Sequence, residues 1–226
     1  MILENDNLYH IYNQGNNRER IFFNRENYLF FLKKIRTHIL PYADVLAWCL
    51  MPNHFHLLVY VRDNAQDVAS TAIQGETLST TCGATQSRIT SRTQTSFPLN
   101  CCRSNNTVPI LNKNIGIMQA SYTRAINIQE NRTGSLFRQG CKALCLSKTD
   151  EITPAYFETS FGTYINARLE ERQYPTVCFH YIHNNPVVAK LVKHAGDWEF
   201  SSYRDYFANR DDSIINKERA KEFICI

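Results

Sequence analysis

WCLMPNHFHLLVYV, residues 48–61, is the segment that most restricts the fold. Two apolar runs, one starting at Ala43 and the other ending at Val61, flank a Pro-Asn pair. Both runs are rich in β-branched and aromatic residues, so they predict two antiparallel strands joined by a tight turn. Because side chains alternate between the two faces of a strand, His54 and His56 are expected to point the same way.

Two imidazoles on one face of a strand can bind the same metal ion. A His-X-His pattern taken alone is more often a pair of structural or half-exposed histidines, because ligation needs a third group. The pair therefore leaves both interpretations open until other residues are considered.

Composition sets broad bounds on the class of protein. The chain has 226 residues, of which 43% are hydrophobic, enough for one sizeable core. Its formal charge of +4 would suit a polyanionic partner without establishing one. None of the eight cysteines has CxxC spacing, and the opening residues MILENDNLYH lack the basic start and apolar core of a signal peptide. We expect a cytoplasmic protein with reduced thiols and no transmembrane helix.

The order of predicted elements indicates the fold class. An alternating segment begins at residue 7, the strand pair lies in the middle, and another strand candidate spans 135–147. Apolar stripes of helical period cover 25–40, after the capping candidate Asn24, and 115–132. The order βαββαβ predicts an α+β, ferredoxin-like antiparallel sheet with helices on one face. The histidine pair is expected on the other, open face.

Two segments interrupt this pattern. Residues from about 64 to 114 are crowded with Ser, Thr, Asn and Gln and contain few large apolar residues. Such a segment cannot bury enough surface to offset its ordering entropy, so we interpret it as an insertion. A second excursion spans about 149–173. The expected organisation is a single domain, 1–226, with these two interruptions.

Residues 174–192, YPTVCFHYIHNNPVVAKLV, predict an additional C-terminal helix. Tyr181 and Asn185 are four residues apart and so share a face. Pro186 removes a backbone donor, and a kink or restart near Asn185 is expected. Taken alone, Tyr181 is more readily explained as a core aromatic residue.

Five blocks together resemble the REP-associated tyrosine transposases and their insertion-sequence relatives, in the HUH single-strand nuclease superfamily. The blocks are WCLMPNHFHLLV, SYTRAIN, GSLFRQGCKA, YIHNNPVVAKLV and DWEFSSYRDY. Their order and spacing match the family from about residue 7 to 63 and from 115 to 207, whereas the two interruptions depart from it. The resemblance implies metal binding by His54, His56 and Asn185, with Tyr181 attacking DNA.

These implied roles have a physical basis. A phosphodiester repels nucleophiles, and a divalent cation, Mg²⁺ or Mn²⁺, would withdraw charge from it. Attack by Tyr181 would leave a 5′-phosphotyrosine and a free 3′-hydroxyl that can rejoin strands. The expected partner is single-stranded or hairpin-bearing DNA. A homodimer is possible, and whether Tyr181 acts within its own chain or across an interface stays open.

The sequence also offers a second candidate nucleophile, two other functions and a set of candidate DNA contacts. Tyr122 is the competing nucleophile, although it fits an apolar helical stripe and has no partner equivalent to Asn185. Two other functions stay open: a hairpin-binding module that does not cleave, and a metal hydrolase that uses water. The candidate DNA contacts are Arg18, Arg20, Arg124, Arg132, Arg138, Lys142 and His183, and a solvated basic face explains each basic residue about equally well.

Overall fold

A computed structural model describes residues 3–63, 110–147, 156–159, 162–165, 174–208, 210 and 214–225. The chain divides into two units, one formed by residues 1–63 with 108–226 and the other by residues 64–107. The second unit lies outside the described residues, as does most of the predicted excursion at 149–173. The single-domain organisation with two interruptions therefore stays a prediction.

The described residues form an α+β fold. In chain order, the strands and helices are β1 (Leu8–Gln14), α1 (Arg25–His38), β2 (Ala43–Met51), β3 (His54–Val61), α2 (Ile110–Gln129), β4 (Lys142–Cys145), β5 (Tyr156–Thr159), β6 (Gly162–Ile165), α3 (Tyr174–Val188), α4 (Tyr203–Phe207) and α5 (Lys217–Phe223). The first four strands make an antiparallel sheet in the order β2-β3-β1-β4, and β5 pairs with β6 separately. This order is the one that a βαββαβ chain of ferredoxin-like topology produces, so the predicted fold class is confirmed.

Two element boundaries differ from the sequence-based expectation. Helix α2 begins at Ile110, earlier than the helical stripe predicted over 115–132. The strand predicted within 135–147 is shorter, because β4 covers only Lys142–Cys145. Gly140, just before β4, has a φ of 78°, a left-handed conformation that glycine adopts without strain.

Local hydrogen bonds fix the start of α1 and the end of β1. Asn24 caps α1 as expected, and Asn27 completes a capping box with it. Gly15 follows β1, and its N–H donates to the Asn53 carbonyl over 2.8 Å. A side chain at Gly15 would overlap the carbonyl oxygen of Glu19, so only glycine allows this close turn.

Helices pack against both faces of the sheet. Helices α1 and α2 pack through residues such as Phe31 and Tyr122 against the face that carries Phe55 and Leu57. The opposite face is partly covered by α3 and α5, with Phe179 of α3 packed in a second apolar cluster. The expectation of helices on one face and an open second face is therefore only partly right, because the added helix α3 buries much of the histidine face.

The five cysteines of the described residues are all free thiols. No helix in the described part of the chain is long and apolar enough to span a membrane.

Candidate active site

The two histidines of β3 lie together on the α3 face of the sheet. Their ring centroids are 5.0 Å apart. His56 is buried, with 5% of its surface exposed, whereas His54 is half-buried at the end of the strand. Strand alternation thus places the two rings on one face as expected, with Phe55 in the core on the opposite side.

Helix α3 brings Tyr181 and Asn185 to the same place. The Tyr181 ring meets the His56 ring edge-on, with centroids 5.4 Å apart, and is 52% exposed. The Asn185 side chain lies beside His54, and its Nδ2 donates to the Tyr181 carbonyl over 3.1 Å. The structure therefore brings together all four residues that the resemblance implied, within one chain.

Helix α3 does not restart near Asn185. It continues through Pro186 to Val188, although proline supplies no backbone donor for the turn before it. Tyr181 and Asn185 therefore lie one turn apart in the same helix, and whether the helix bends at Pro186 stays a prediction.

Two further residues of this site were not predicted from the sequence. His10 of β1 is 8% exposed, and its Nε2 lies 2.9 Å from His56 Nδ1 in a hydrogen bond. The Tyr12 ring stacks on His10 with centroids 4.9 Å apart. Alternation within LYHIYNQ, residues 8–14, was the available signal, since it puts both side chains on one face of β1. Only the pairing of β1 with β3 shows that this is also the face of His56.

Burial keeps the imidazoles neutral at physiological pH. The pKa of His10 is lowered to about 4 because burial disfavours the charged ring. Burial likewise lowers the pKa of His56, and the neighbouring His10 and His54 lower it further. The pKa of His54 is lowered by burial, an effect that the neighbouring Asn185 side chain opposes. Neutral imidazole is the form that binds a metal ion.

The residues present fit a divalent metal ion that takes few of its ligands from the protein. The Nε2 atom of His56 is buried and has no hydrogen-bond partner among the described residues, while its Nδ1 is occupied by His10. His54 Nδ1 is likewise occupied, by Asn53 Oδ1 at 2.6 Å. No group of three His, Cys, Asp or Glu side chains able to hold a metal occurs in the described part of the chain. An amide oxygen could serve as a third protein ligand, and Asn185 is the candidate beside His54, because the Asn53 oxygen already contacts His54 Nδ1.

A cavity of about 280 Å³ opens beside the histidines and Tyr181. Arg138 and Lys142 line it, and neither side chain has an ion-pair or hydrogen-bond partner within the described residues. Gln14 and Gln139 also line it, and neither side-chain amide has a hydrogen-bond partner within the described residues. The cavity is therefore bordered by two cations and two amides that are available to a ligand.

The other predicted DNA contacts do not line this cavity. Arg124 and Arg132 border a separate surface groove along α2, on the helix that covers the opposite face of the sheet. Arg132 also pairs with Glu19, with 3.0 Å between its Nη2 and the carboxylate oxygen. Arg18 and Arg20 are exposed in the segment between β1 and α1. Whether any of these four contacts DNA stays a prediction.

His183, for which both a phosphate contact and a structural contact were open, is a structural residue. Its side chain is 2% exposed, and its Nε2 is hydrogen-bonded to Ser202 Oγ over 2.7 Å. Burial lowers the pKa of His183 to about 3, so the ring is neutral and offers no charge to a phosphate.

The competing nucleophile Tyr122 is buried in the core. It is fully inaccessible, and its hydroxyl donates to the Ile21 carbonyl over 2.7 Å. Burial raises the pKa of Tyr122, which further disfavours the phenolate. Of the two tyrosines considered from the sequence, only Tyr181 can reach a ligand.

Comparisons with known proteins add one structural likeness. No family model matches the sequence, and no curated protein matches it. A solved structure described as a REP-associated tyrosine transposase bound to a REP hairpin is similar, with 13% identity and a TM-score of 0.46. The match covers 96% of this chain and 91% of that chain. At this identity and TM-score, function has to be inferred from the side chains of this chain.

Proposed function

We propose that the chain cleaves and rejoins single-stranded, hairpin-bearing DNA, as a metal-dependent transposase or nickase. Tyr181 is the nucleophile, and His54, His56 and Asn185 hold a divalent cation, Mg²⁺ or Mn²⁺. The proposal builds on the motifs that resemble the tyrosine transposases and on the side-chain arrangement of the site.

The observation that carries the proposal is the position of Tyr181. An exposed tyrosine stands edge-on to a buried histidine, 5.4 Å between ring centroids, at the mouth of a cavity that also holds Arg138 and Lys142. A core aromatic residue would instead be enclosed by apolar side chains, as Tyr122 is. Because the contact is made within one chain, Tyr181 is proposed to act in cis.

The chemistry follows from the groups that meet there. Tyr181 Oη attacks the phosphorus of a phosphodiester, so the Oη–P bond forms and the P–O3′ bond breaks. The phenolic proton leaves to solvent, and the departing 3′ oxygen takes up a proton. The products are a 5′-phosphotyrosine and a free 3′-hydroxyl, and a different 3′-hydroxyl can reverse the step without nucleotide hydrolysis.

The remaining side chains would bind and orient the strand. Arg138 and Lys142 offer positive charge to the phosphates on either side of the reacting one. Tyr12, stacked on His10 at the same cavity, offers an aromatic surface to a base. A divalent cation held by the histidines and Asn185 would supply charge withdrawal from the scissile phosphate.

A covalent adduct assay tests the proposal. Hairpin-bearing single strands labelled on the 3′ side of the cut are mixed with protein and Mg²⁺ or Mn²⁺, and label is sought on the denatured protein. Wild-type protein is expected to retain label. Tyr181→Phe removes only the hydroxyl of an exposed ring, so this variant is expected to fold and bind DNA but to form no adduct.

Tyr12→Phe is the matched control, because it removes a tyrosine hydroxyl from the same cavity and is expected to keep adduct formation. Cleavage by Tyr181→Phe with release of 5′-phosphate ends would make water the nucleophile and favour a hydrolase. DNA binding without cleavage of any tested strand by the wild type would favour a binding module. Loss of the adduct in Tyr12→Phe alone would assign the nucleophile to β1.

A further inference from the structure

Asn53 determines which nitrogen of His54 carries the proton. The Asn53 Nδ2 group donates to the Arg18 carbonyl over 3.1 Å, so the Oδ1 atom is the one that faces His54. An amide oxygen only accepts hydrogen bonds, and it lies 2.6 Å from His54 Nδ1. His54 Nδ1 therefore carries the proton, and the lone pair is on Nε2.

His10 has the same relation to His56. The bond between His10 Nε2 and His56 Nδ1, at 2.9 Å, is compatible with a proton on either atom. His56 Nε2 is buried and has no partner among the described residues. An N–H there would be a buried donor without an acceptor, and a ring nitrogen that carries a proton cannot bind a cation. A proton on Nδ1 that is donated to His10 instead leaves a lone pair on Nε2, which a cation can satisfy.

We propose that Asn53 and His10 are positioning residues that hold both histidines in the Nδ1–H tautomer. Both Nε2 lone pairs are then free for one ligand, a divalent cation. This inference rests on the metal site of the proposed function, yet it describes a property of the metal-free protein and can be tested in that state.

The fold supports both contacts through the backbone. The Asn53 carbonyl accepts from Gly15 N–H over 2.8 Å, which fixes the β2–β3 turn against the end of β1. In the β1–β3 register Tyr12 is opposite His56 and His10 is opposite Leu58. His10 is thus the diagonal neighbour of His56 on the same face, a distance that long side chains can bridge.

The tautomers can be read directly from imidazole ¹⁵N chemical shifts of the metal-free, ¹⁵N-histidine-labelled protein. We expect His54 and His56 each to show a protonated Nδ1 and an unprotonated Nε2. Asn53→Ala is expected to convert His54, and His10→Leu to convert His56, into a mixture of tautomers. A protonated Nε2 on either ring of the wild type would overturn the proposal, and this measurement does not depend on any variant folding.

Metal affinity provides the second readout, with Mn²⁺ as the probe in calorimetry. His10→Leu is expected to weaken Mn²⁺ binding by about 10–100-fold, whereas His10→Gln, whose amide oxygen can still accept from His56, should recover much of the affinity. His38→Leu, at the end of α1, is the control and should bind Mn²⁺ like the wild type. Unchanged affinity in His10→Leu would overturn the role of His10. Absence of Mn²⁺ binding in the wild type would remove the metal from the proposed function, while the tautomer measurement would still decide this inference.

Discussion

Ser202 is a fully buried hydroxyl that connects an edge strand to the helix carrying Tyr181. It accepts from Trp48 N–H of β2 over 2.9 Å and is bonded to His183 Nε2 of α3 over 2.7 Å. Its own backbone N–H donates to the Trp48 carbonyl. One side chain thus satisfies polar groups of two elements that lie more than a hundred residues apart in sequence.

At this scale we predict that Ser202→Ala destabilises the protein by about 1–3 kcal/mol, because it leaves a buried N–H and a buried imidazole without their partner. The measurement is urea unfolding of both proteins. Ser121→Ala is the matched control, since Ser121 Oγ bonds only to Met118 of its own helix. A Ser202 variant as stable as the control would show that water replaces the hydroxyl at no cost.

Helix α3 is the element that turns a pair of histidines into a candidate active site. It buries Cys178, Phe179 and Ile182 against the sheet while Tyr181 stays exposed on another side. The Phe179 ring is enclosed by His183 and Tyr206, at centroid distances of 4.3 and 4.9 Å. The packing of one face of α3 therefore determines where Tyr181 and Asn185 stand over β3.

We predict that Phe179→Ala costs about 3–5 kcal/mol, the usual range when a buried phenylalanine is truncated. Adduct formation should fall with it, because α3 then loses its main anchor. Thermal unfolding and the adduct assay would be measured in parallel. Val177→Ala, on the same helix at a position 37% exposed, should change both by little. Full adduct yield in a Phe179 variant of lowered stability would show that Tyr181 is positioned without this anchor.

Buried tyrosines make the stability of the whole molecule sensitive to alkali. Burial raises the pKa of Tyr28 to about 12, against an ordinary value of 10, although nearby Arg20 lowers it somewhat. Burial also raises the pKa values of Tyr122 and Tyr206. Above pH 10 the unfolded chain releases these protons while the folded protein retains them, so unfolding becomes more favourable as pH rises.

We therefore predict that the free energy of unfolding is insensitive to these groups below pH 10. Above it, stability should fall by up to about 1.4 kcal/mol per pH unit for each tyrosine still protonated in the fold. Urea unfolding between pH 9 and 12 measures this slope. Tyr28→Phe should make the slope shallower by one tyrosine, and Tyr42→Phe, which removes the hydroxyl of a half-buried tyrosine, serves as the comparison. An identical slope in Tyr28→Phe and wild type would mean that Tyr28 titrates normally.

Local pattern was sufficient to predict much of this molecule. Alternation placed His54 and His56 on one face, helical spacing paired Tyr181 with Asn185, and the order of strands and helices indicated the antiparallel sheet. These features depend on side-chain periodicity and chain order, which can be predicted from residues close together in sequence. The family resemblance of the motifs added the chemical roles.

Tertiary structure alone decided the rest. His10 is 46 residues from His56, and only the register of β1 against β3 brings the two rings into contact. His183 and Tyr181 are two residues apart, yet His183 is enclosed and Tyr181 is exposed. The reason is which face of α3 packs on the sheet. Likewise, only the packing of α2 shows that Tyr122 is a core residue. Burial and strand register arise from contacts between segments that are distant in sequence. A single sequence does not predict which of these segments are in contact.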